Sequence, residues 1–372
     1  MTASADLLPC HLEACDALTA FGDADASTAA LLAGRRALAL TPVLGQAGGD
    51  PVPLALRGPL DETLPPRWLE DLQVLAKQIP AGDWGRGRTP VVVTSCNFGV
   101  GSLYAYQRER DPRHVAPGAP FAAVELLQKA LGWGDDLTVF SHACVTSHLG
   151  LYHAARLLHA DLADRVLVFT YDFLSPFVTG GFHSLKILNQ GYPAPYSVGE
   201  MGSIGLGDGA AFAVLRRGVA AKGGFTVQAH ALYNEMFHVT GNQPDGSGFA
   251  ACTAAIAAAS GGRRVWVKGH GTGTLEAGRL EAEMIARQFP GSPLVSWKGG
   301  LGHTLGSCGL VELAITVRAL RQGRIPGTVG GTAPTFGDHV ALESFAADAF
   351  DGVILTSNAF GGAHAVMLLT SP

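Results

Sequence analysis

Continuous apolar runs that end in glycine-rich or polar loops dominate the pattern of this chain. Six such runs begin with β-branched or aromatic residues, and they lie in the segments 90–102, 136–147, 164–173, 263–274, 292–304 and 351–362. Apolar residues without strict alternation predict strands that are covered on both faces. Longer stretches between them predict helices over 149–160, 276–289 and 309–323. Strand, glycine-containing loop and helix in succession predict an α/β fold.

The two halves of the chain repeat one plan. Segments 139–158 and 296–320 each read as a strand, a reactive residue, a helix start of small residues and a long apolar helix. "TSCNFGVG" in the first half corresponds in position to "KGHGTGT" in the second, and "LRRGVAAKGG" interrupts the pattern near 215–224. We therefore predict two similar αβ halves, 1–218 and 219–372, that form one compact body.

Composition narrows the class of protein. The chain has 372 residues, of which 47% are hydrophobic and 15% charged, which suits extensively buried sheets. A net charge of −5 without a basic run argues against nucleic acid as a partner. Six irregularly spaced cysteines fit a reducing setting. The apolar runs are too short to span a bilayer, and the first basic residue is Arg35, so we expect a cytoplasmic protein without membrane contact.

Three potentially reactive side chains follow strand-like segments: Cys144, His270 and His303. In an α/β sheet the loops beyond the carboxyl ends of the strands converge on the ligand crevice. Cys144 stands where a helix begins, so we expect unpaired N–H groups and the helix dipole to lower its pKa and to hold an oxyanion. For the remaining cysteines we predict the usual role of buried apolar residues, and these are Cys10, Cys15, Cys96, Cys252 and Cys308.

The histidine segments leave several interpretations open. "KGHGTGT" supplies the hydroxyls of Thr272 and Thr274 to a polar ligand, and alone it also fits a phosphate-binding loop or an ordinary turn. One cysteine and two histidines also suit zinc, although separations of more than a hundred residues neither support nor exclude that alternative. We expect no metal.

Together the segments resemble the β-ketoacyl synthases, the decarboxylating condensing enzymes of fatty acid and polyketide assembly. "SHACVTS" is similar to the nucleophile segment of that family, and "VKGHGTGTLEAGRLEAEMI" to its H-G-T-G-T loop and following helix. "SWKGGLGHTLGSCGLVELA" is similar to its lysine–histidine–glutamate signature, and "SNAFGGAHAVML" to its G-F-G-G-x-N stretch. The resemblance covers about residues 15–370. It implies a thiolase-like fold whose two halves stack in five layers, α-β-α-β-α.

The resemblance also implies roles for single residues. Cys144 would accept the acyl chain, while His270 and His303 would bind the malonyl thioester, assist the loss of carbon dioxide and stabilise the enolate. Lys298 would lie behind His303. Phe360 would gate the pocket and share an oxyanion hole with the Cys144 N–H. Glu281 and Glu312 would be buried supports of the site. Thr272 and Thr274 would contact the phosphopantetheine arm.

The activity so implied is that of an acyltransferase of the 3-oxoacyl-[acyl-carrier-protein] synthase type, without a cofactor of its own. Acyl carrier protein would be the partner, with Lys129, Arg156 and Lys186 as possible contacts to its acidic surface. A homodimer, or a heterodimer with a related subunit, would form through an edge strand of the N-terminal half. One alternative is a chain-length-factor-like subunit without condensing activity, which the presence of Cys144 disfavours. Another is acyl transfer alone, which the two histidines disfavour.

The chain departs from the family pattern at several positions. The acidic residue expected after the H-G-T-G-T loop reads Gly278, and the last asparagine of the phenylalanine loop reads His364. The usual proline after the loop reads Leu275, and the lysine signature reads "KGGLGH". The segment between Cys144 and His270 is shortened. Chain length, saturation of the acyl group and the pathway therefore stay open.

Overall fold

The computed structural model describes residues 4–45, 48–60, 66–239 and 241–371. The strands are β1 Cys10–Thr19, β2 Gly22–Asp23, β3 Ala39–Pro42, β4 Pro51–Ala55, β5 Val91–Thr94, β6 Leu137–Phe140, β7 Arg165–Asp172, β8 Leu206–Gly207, β9 Gly209–Arg217, β10 Phe225–Asn234, β11 Val265–Lys268, β12 Leu294–Val295, β13 Arg324–Ile325, β14 Phe345–Ala346, β15 Gly352–Ala359 and β16 Ala363–Thr370. The helices are α1 Ala24–Leu32, α2 Arg67–Ala76, α3 Val100–Glu109, α4 Val115–Gly118, α5 Pro120–Leu131, α6 Thr146–His159, α7 Pro176–Ser184, α8 Ser247–Ser260, α9 Leu275–Gln288, α10 Lys298–Leu301 and α11 Cys308–Arg321.

The largest sheet has the same strand order on either side of its centre. The order is β12-β11-β15-β16-β10-β1-β9-β7-β5-β6, with β2 paired to β1. β5 is parallel to β6 and β7, and β11 is parallel to β12 and β15, whereas the central pairs are antiparallel. β6 therefore corresponds to β12 and β5 to β11. This symmetry places the loop after β5 at the position that corresponds to the loop after β11, and the loop after β6 at the position that corresponds to the loop after β12.

Helices fill the space between the two halves of the sheet and cover its outer faces. α6 and α11 pack on each other and on strands of both halves, around a core that includes Leu158, Leu310 and Leu313. On the outside, α2 and α5 cover the N-terminal half, and α8 and α9 cover the C-terminal half. The prediction of five alternating layers is confirmed. Nearly every residue of α11 is buried, as expected for a helix that is apolar all round.

Close packing explains the small residues at the start of α6. A Cβ atom on Gly150 would lie 2.7 Å from Cγ2 of Thr94 on β5, so only glycine lets the helix approach the sheet this closely. Leu151, Ala154, Ala155 and Leu158 form the buried stripe of this helix. The nucleophile segment is thus held against a rigid layer of the protein.

The predicted elements coincide with observed ones. The six predicted strand segments contain β5, β6, β7, β11, β12 and β15, and the three predicted helices correspond to α6, α9 and α11. The predicted division at 218/219 falls in the connection between β9 and β10. Because the two halves share one hydrogen-bonded sheet, their description as separate domains stays a prediction. Within the described ranges, no helix has the length and apolarity that crossing a bilayer requires.

Candidate active site

The structure brings the three predicted reactive side chains together. Cys144 lies between β6 and α6, His270 follows β11, and His303 lies between α10 and α11. Sγ of Cys144 is 3.1 Å from Nε2 of His303. The rings of His270 and His303 meet edge to face with their centroids 5.0 Å apart. A ligand atom from each of the three residues lies within 4.8 Å of the other two, so one small thioester can contact all three.

A strained turn presents the cysteine. Ala143, directly before it, has φ +44°, a conformation that costs a non-glycine residue about 1–3 kcal/mol. The Thr146 hydroxyl donates to the Ala143 carbonyl at 2.5 Å, and the His142 N–H donates to the Thr146 hydroxyl at 2.7 Å. Cys96 is only half-buried, contrary to the prediction of a core residue, and its thiol donates to the same Ala143 carbonyl. These contacts hold the turn in the conformation that directs Cys144 toward His303.

The expectation of a lowered cysteine pKa is wrong. Burial raises the pKa of the Cys144 thiol, and the charges of Cys308 and Asp172 act in the same direction, while Lys298 lowers it. α6 begins only at Thr146, two residues beyond the sulfur, so the helix terminus contributes less than burial does. The resting group is therefore a neutral thiol that is hydrogen-bonded to an imidazole, and His303 is placed to take its proton.

Both histidines are neutral at physiological pH. Burial holds the pKa of His303 well below its usual value, and Lys298 and Lys268 lower it further. Burial also holds the pKa of His270 well below its usual value, with Lys298 and His303 acting in the same direction. The Nδ1 atoms of the two rings are buried and have no hydrogen-bond partner among the residues described. Two neutral imidazoles in a dry site can donate to a developing oxyanion.

A buried ion-pair cluster lies behind the histidines. Lys298, at the first position of α10, places Nζ 2.7 Å from Oε1 of Glu312 on α11. Lys268, the last residue of β11, places Nζ 2.6 Å from Oε2 of the same carboxylate. Sequence reasoning found Lys298 and Glu312 but missed Lys268. Its one signal was a lysine at the end of an apolar strand, two residues before His270.

Glu281, on α9, binds the backbone of the loop that carries His270. Its carboxylate accepts hydrogen bonds from five donors on three segments of the chain, and these are the N–H groups of His270 and Gly271, the hydroxyls of Tyr196 and Thr356 and the amide of Asn358. A fully hydrogen-bonded carboxylate fixes the backbone on both sides of the loop. The support role implied for Glu281 is thus matched by its contacts, although its effect on activity stays a prediction.

Glu281→Gln should lower the free energy of unfolding by about 3 kcal/mol, because an amide cannot accept from every donor around it and leaves buried N–H and O–H groups unpaired. Urea denaturation followed by circular dichroism measures the change. The matched control is Glu283→Gln on the same helix, where the side chain is partly exposed and, among the described residues, pairs only with Arg279. We expect about 0.5 kcal/mol or less there. Equal losses in the two variants would contradict the assigned role of Glu281.

Asp172, at the end of β7, is a second buried anchor that the sequence analysis missed. Oδ1 accepts from the Ser95 hydroxyl and from the N–H groups of Cys96 and Asn97, each at 2.9 Å. Oδ2 accepts from the Ser307 N–H at 3.0 Å, just before α11. Burial raises the pKa of this carboxyl to about 7, against the lowering effect of those hydrogen bonds. Asp172 thus fixes the loop after β5, as Glu281 fixes the equivalent loop after β11.

A cavity of about 320 Å³ opens onto the reactive residues. Cys144, His270 and His303 line its polar part, and Thr272 and Thr274 lie toward the start of α9 with their hydroxyls 3.3 Å apart. The apolar part of the wall is formed by Phe182, Ile187, Ile204, Leu280 and Phe360. Half-exposed Phe360 stacks on Phe182 with the ring centroids 6.1 Å apart. All nine predicted site residues therefore line this cavity or lie directly behind it.

His364, which stands where the family pattern has an asparagine, has a buried partner in the structure. His364 places Nε2 3.3 Å from Oε2 of Glu235, and its Nδ1 is 2.8 Å from the Asn358 side-chain oxygen. Asn358 in turn donates to Glu281. The histidine therefore extends the network behind the loop and brings a buried carboxylate, Glu235, of its own. This partner was invisible in the sequence because β10 and β16 are far apart along the chain.

The possible carrier contacts are dispersed. Lys186 is exposed and adjoins Ile187 of the cavity wall. Lys129 lies in the last turn of α5, and Arg156 lies in the last turn of α6, where it packs over the Tyr152 ring. Of the three, only Lys186 is next in sequence to a residue of the cavity wall.

The same thiol and imidazoles also have the donor types and spacing of a zinc site. Two buried lysines lower the pKa of both imidazoles, however, and the positive potential that does so also opposes a divalent cation. The surroundings therefore favour neutral imidazoles that serve an anionic ligand.

Comparisons with known proteins agree with this geometry. Residues 225–332 match the family model described as beta-ketoacyl synthase, C-terminal domain. A 3-oxoacyl-[acyl-carrier-protein] synthase 2 of Vibrio cholerae is 30% identical over 288 residues, which are 70% of this chain and 69% of the relative. A 3-oxoacyl-[acyl-carrier-protein] synthase 2 of Coxiella burnetii is 26% identical over 317 residues, 76% of this chain and 75% of the relative. The chain spans between 51% and 75% of the length of the first three curated relatives it matches.

Solved structures show the same architecture. The ketosynthase ApeO in complex with its chain length factor ApeC from Xenorhabdus doucetiae superimposes with a TM-score of 0.78, at 19% identity and with 98% of each chain covered. The fold is thus the thiolase-like fold of ketosynthases. The chain belongs to the β-ketoacyl synthase family.

Proposed function

We propose that the protein catalyses the decarboxylative Claisen condensation of a malonyl thioester with an acyl chain held on Cys144. The observation that carries the proposal is the convergence of one thiol and two neutral imidazoles in a single, largely apolar cavity. Family membership supports it, because the curated relatives named above are 3-oxoacyl-[acyl-carrier-protein] synthases.

In the loading step, the Cys144 sulfur attacks the carbonyl of the acyl thioester while Nε2 of His303, 3.1 Å away, takes the thiol proton. The backbone N–H groups of Cys144 and Phe360 hold the oxyanion. When the tetrahedral intermediate collapses, the bond to the carrier sulfur breaks and the proton passes from His303 to the departing thiolate. The acyl chain is then a thioester of Cys144.

In the condensing step, the malonyl thioester enters with its carbonyl oxygen toward His270 and His303. The bond to the carboxylate carbon breaks, carbon dioxide leaves, and the electron pair forms an enolate. Its oxygen accepts from His270 and from His303, whose ring proton must by then have moved from Nδ1 to Nε2. The enolate carbon then attacks the acyl carbonyl, a carbon–carbon bond forms, and the Cys144 thiolate leaves and takes one proton from solvent. Electrons balance within the two thioesters, so the proposed reaction needs no cofactor beyond the phosphopantetheine arm, which Thr272 and Thr274 would contact.

Acyl carrier protein is the carrier that fits this reaction, in agreement with the names of the relatives. The chain would act in the cytoplasm as a homodimer or as a heterodimer with a related subunit. The pairing of ApeO with a chain length factor supports the second arrangement. β6 ends the large sheet with half-buried residues and one unpaired edge, which supports contact through this strand. A chain-length-factor-like role without condensation is disfavoured because the thiol and both histidines are present and in contact.

Incubation with acyl-loaded carrier protein should add the mass of one acyl group to the protein. Intact mass spectrometry measures the adduct, and peptide mapping should place it on Cys144 and not on the neighbouring thiols Cys96 and Cys308. Cys144→Ala should give no adduct. An unmodified wild-type protein would refute the enzyme proposal and favour the non-condensing subunit.

A further inference from the structure

Lys268 is a fully buried cation next to the proposed site. Its side chain has 0% exposure, and its ammonium group donates to the Gly269 carbonyl at 2.6 Å as well as pairing with Glu312. The ammonium also lies 5.7 Å from the centre of the Trp297 ring. A lysine so deeply buried costs free energy unless it is paired, and at this position it has an ionic partner, a carbonyl and an aromatic face. Burial lowers the pKa of Lys268 to about 8 while the Glu312 carboxylate raises it, so the side chain is mostly charged at neutral pH.

Lys268 adds a second positive charge among the buried carboxylates that lie around the histidines. Glu312 and Glu281 are both buried carboxylates behind the loops that carry His303 and His270. Lys298 offsets one of them. Glu235 and Asp172 add two further buried carboxyl groups to the network behind the site, so Lys268 reduces the excess of negative charge without removing it. A buried negative charge would act directly on any anion bound in the adjoining cavity.

The two halves of the proposed reaction differ in their demand for positive potential. The malonyl step brings a carboxylate to the imidazoles and then forms an enolate there. The loading step starts from a neutral thioester, and its oxyanion is held by backbone N–H groups of Cys144 and Phe360. Because Lys268 lowers the pKa of both His270 and His303, its charge is felt at the imidazoles that would receive the enolate.

We infer that Lys268 is a second positioning lysine for the decarboxylation step. Through its ion pair with Glu312 it offsets carboxylate charge behind the histidines, and so favours the malonyl carboxylate and the enolate without touching either. The inference rests on the proposed condensing function. A lysine with a purely structural role would affect acyl loading and malonyl decarboxylation alike. The inference instead requires that Lys268 affects decarboxylation more than loading.

The test compares the two steps in Lys268→Met. The substitution keeps most of the side-chain volume, and Lys298 and Glu312 stay paired. Decarboxylation is measured as carbon dioxide released from malonyl-loaded carrier protein, and loading as the rate of acyl adduct formation by mass spectrometry. We expect decarboxylation to slow roughly 10-fold to 100-fold and loading to change less than about 3-fold. Lys77→Met, which removes an exposed charge at the end of α2, should leave both rates at the wild-type value.

Each outcome decides the inference. Unchanged decarboxylation, or equal slowing of the two steps, would overturn it. If Lys268→Met does not fold, as judged by circular dichroism, Lys268→Gln is measured instead, because its amide still donates to Glu312 and Gly269 without a charge, and the same outcomes apply. A wild-type protein that neither loads nor decarboxylates would instead refute the proposed function, so the two failures are distinguishable.

Discussion

Replacing Cys144 by glutamine should abolish condensation, with a loss of roughly 10,000-fold or more, because no other group in the cavity can hold the acyl chain. Decarboxylation of the malonyl thioester should persist, since the enolate is stabilised by His270 and His303 and not by the thiol. The measurement separates two products from one incubation: the 3-oxoacyl thioester by mass spectrometry, and carbon dioxide by isotope release.

The control for this substitution is Cys252→Ala, which removes a buried thiol from α8 in the outer layer of the C-terminal half. It should leave both products within about 3-fold of the wild-type amounts, since it contacts none of the reactive groups. Loss of condensation and decarboxylation together in a folded Cys144→Gln variant would show that the thiol takes part in both steps. The division of labour between sulfur and imidazoles would then be wrong.

The positions of the reactive residues were predictable because they depend on local patterns. Cys144, His270 and His303 each follow an apolar strand, and the carboxyl ends of parallel strands meet at one edge of a sheet. Lys298 and Glu312 were each implied by resemblance, and their pairing, which was not predicted, follows structurally because α10 and α11 are neighbours in the chain. The two-fold order of the large sheet likewise follows from the repeated strand–loop–helix plan.

The second layer of the site was not predictable, because its contacts join distant segments. Lys268 reaches Glu312 across the interval between β11 and α11, and Asp172 joins the loop after β5 to the start of α11. No periodicity or spacing rule connects these pairs. A single charged residue at the end of an otherwise apolar strand is the common signal at Lys268 and Asp172, and it marks a buried charge whose partner only the fold reveals.

The pKa of Cys144 shows where a local argument fails. The approach of a helix terminus is visible in the sequence, whereas the extent of burial is a property of the assembled layers. Burial outweighs the terminus because the sulfur precedes the first helical residue and lies against His303. The catalytic proposal consequently shifts from a standing thiolate to a thiol whose proton moves to His303 as the sulfur attacks.

Replacing each of the two histidines by alanine should affect acyl loading and decarboxylation differently. His303→Ala should impair both acyl loading and decarboxylation, because Nε2 of His303 contacts the thiol and also faces the enolate position. His270→Ala should slow decarboxylation roughly 100-fold to 1,000-fold, the usual loss for one oxyanion donor, while loading stays within about 10-fold of the wild type. Acyl adduct formation and carbon dioxide release measure the two steps. His159→Gln, an exposed position at the end of α6, is the matched control.

The pH dependence of decarboxylation gives an independent check on the same residues. Because burial and the neighbouring lysines hold the pKa values of His270 and His303 well below 6.5, both rings stay neutral as the pH falls from 8 toward 6. The imidazoles themselves should therefore cause no decline over that interval and should lower the rate only at lower pH, where they gain protons. The buried groups behind the site that titrate between pH 8 and 6 are Lys268, whose pKa burial lowers to about 8, and Asp172, whose pKa burial raises to about 7. A decline centred near the ordinary histidine pKa would mean that the rings are hydrated and not shielded by the fold.

Equal loss of loading in His270→Ala and His303→Ala would in turn show that the 3.1 Å contact between Cys144 and His303 is not the path of the thiol proton.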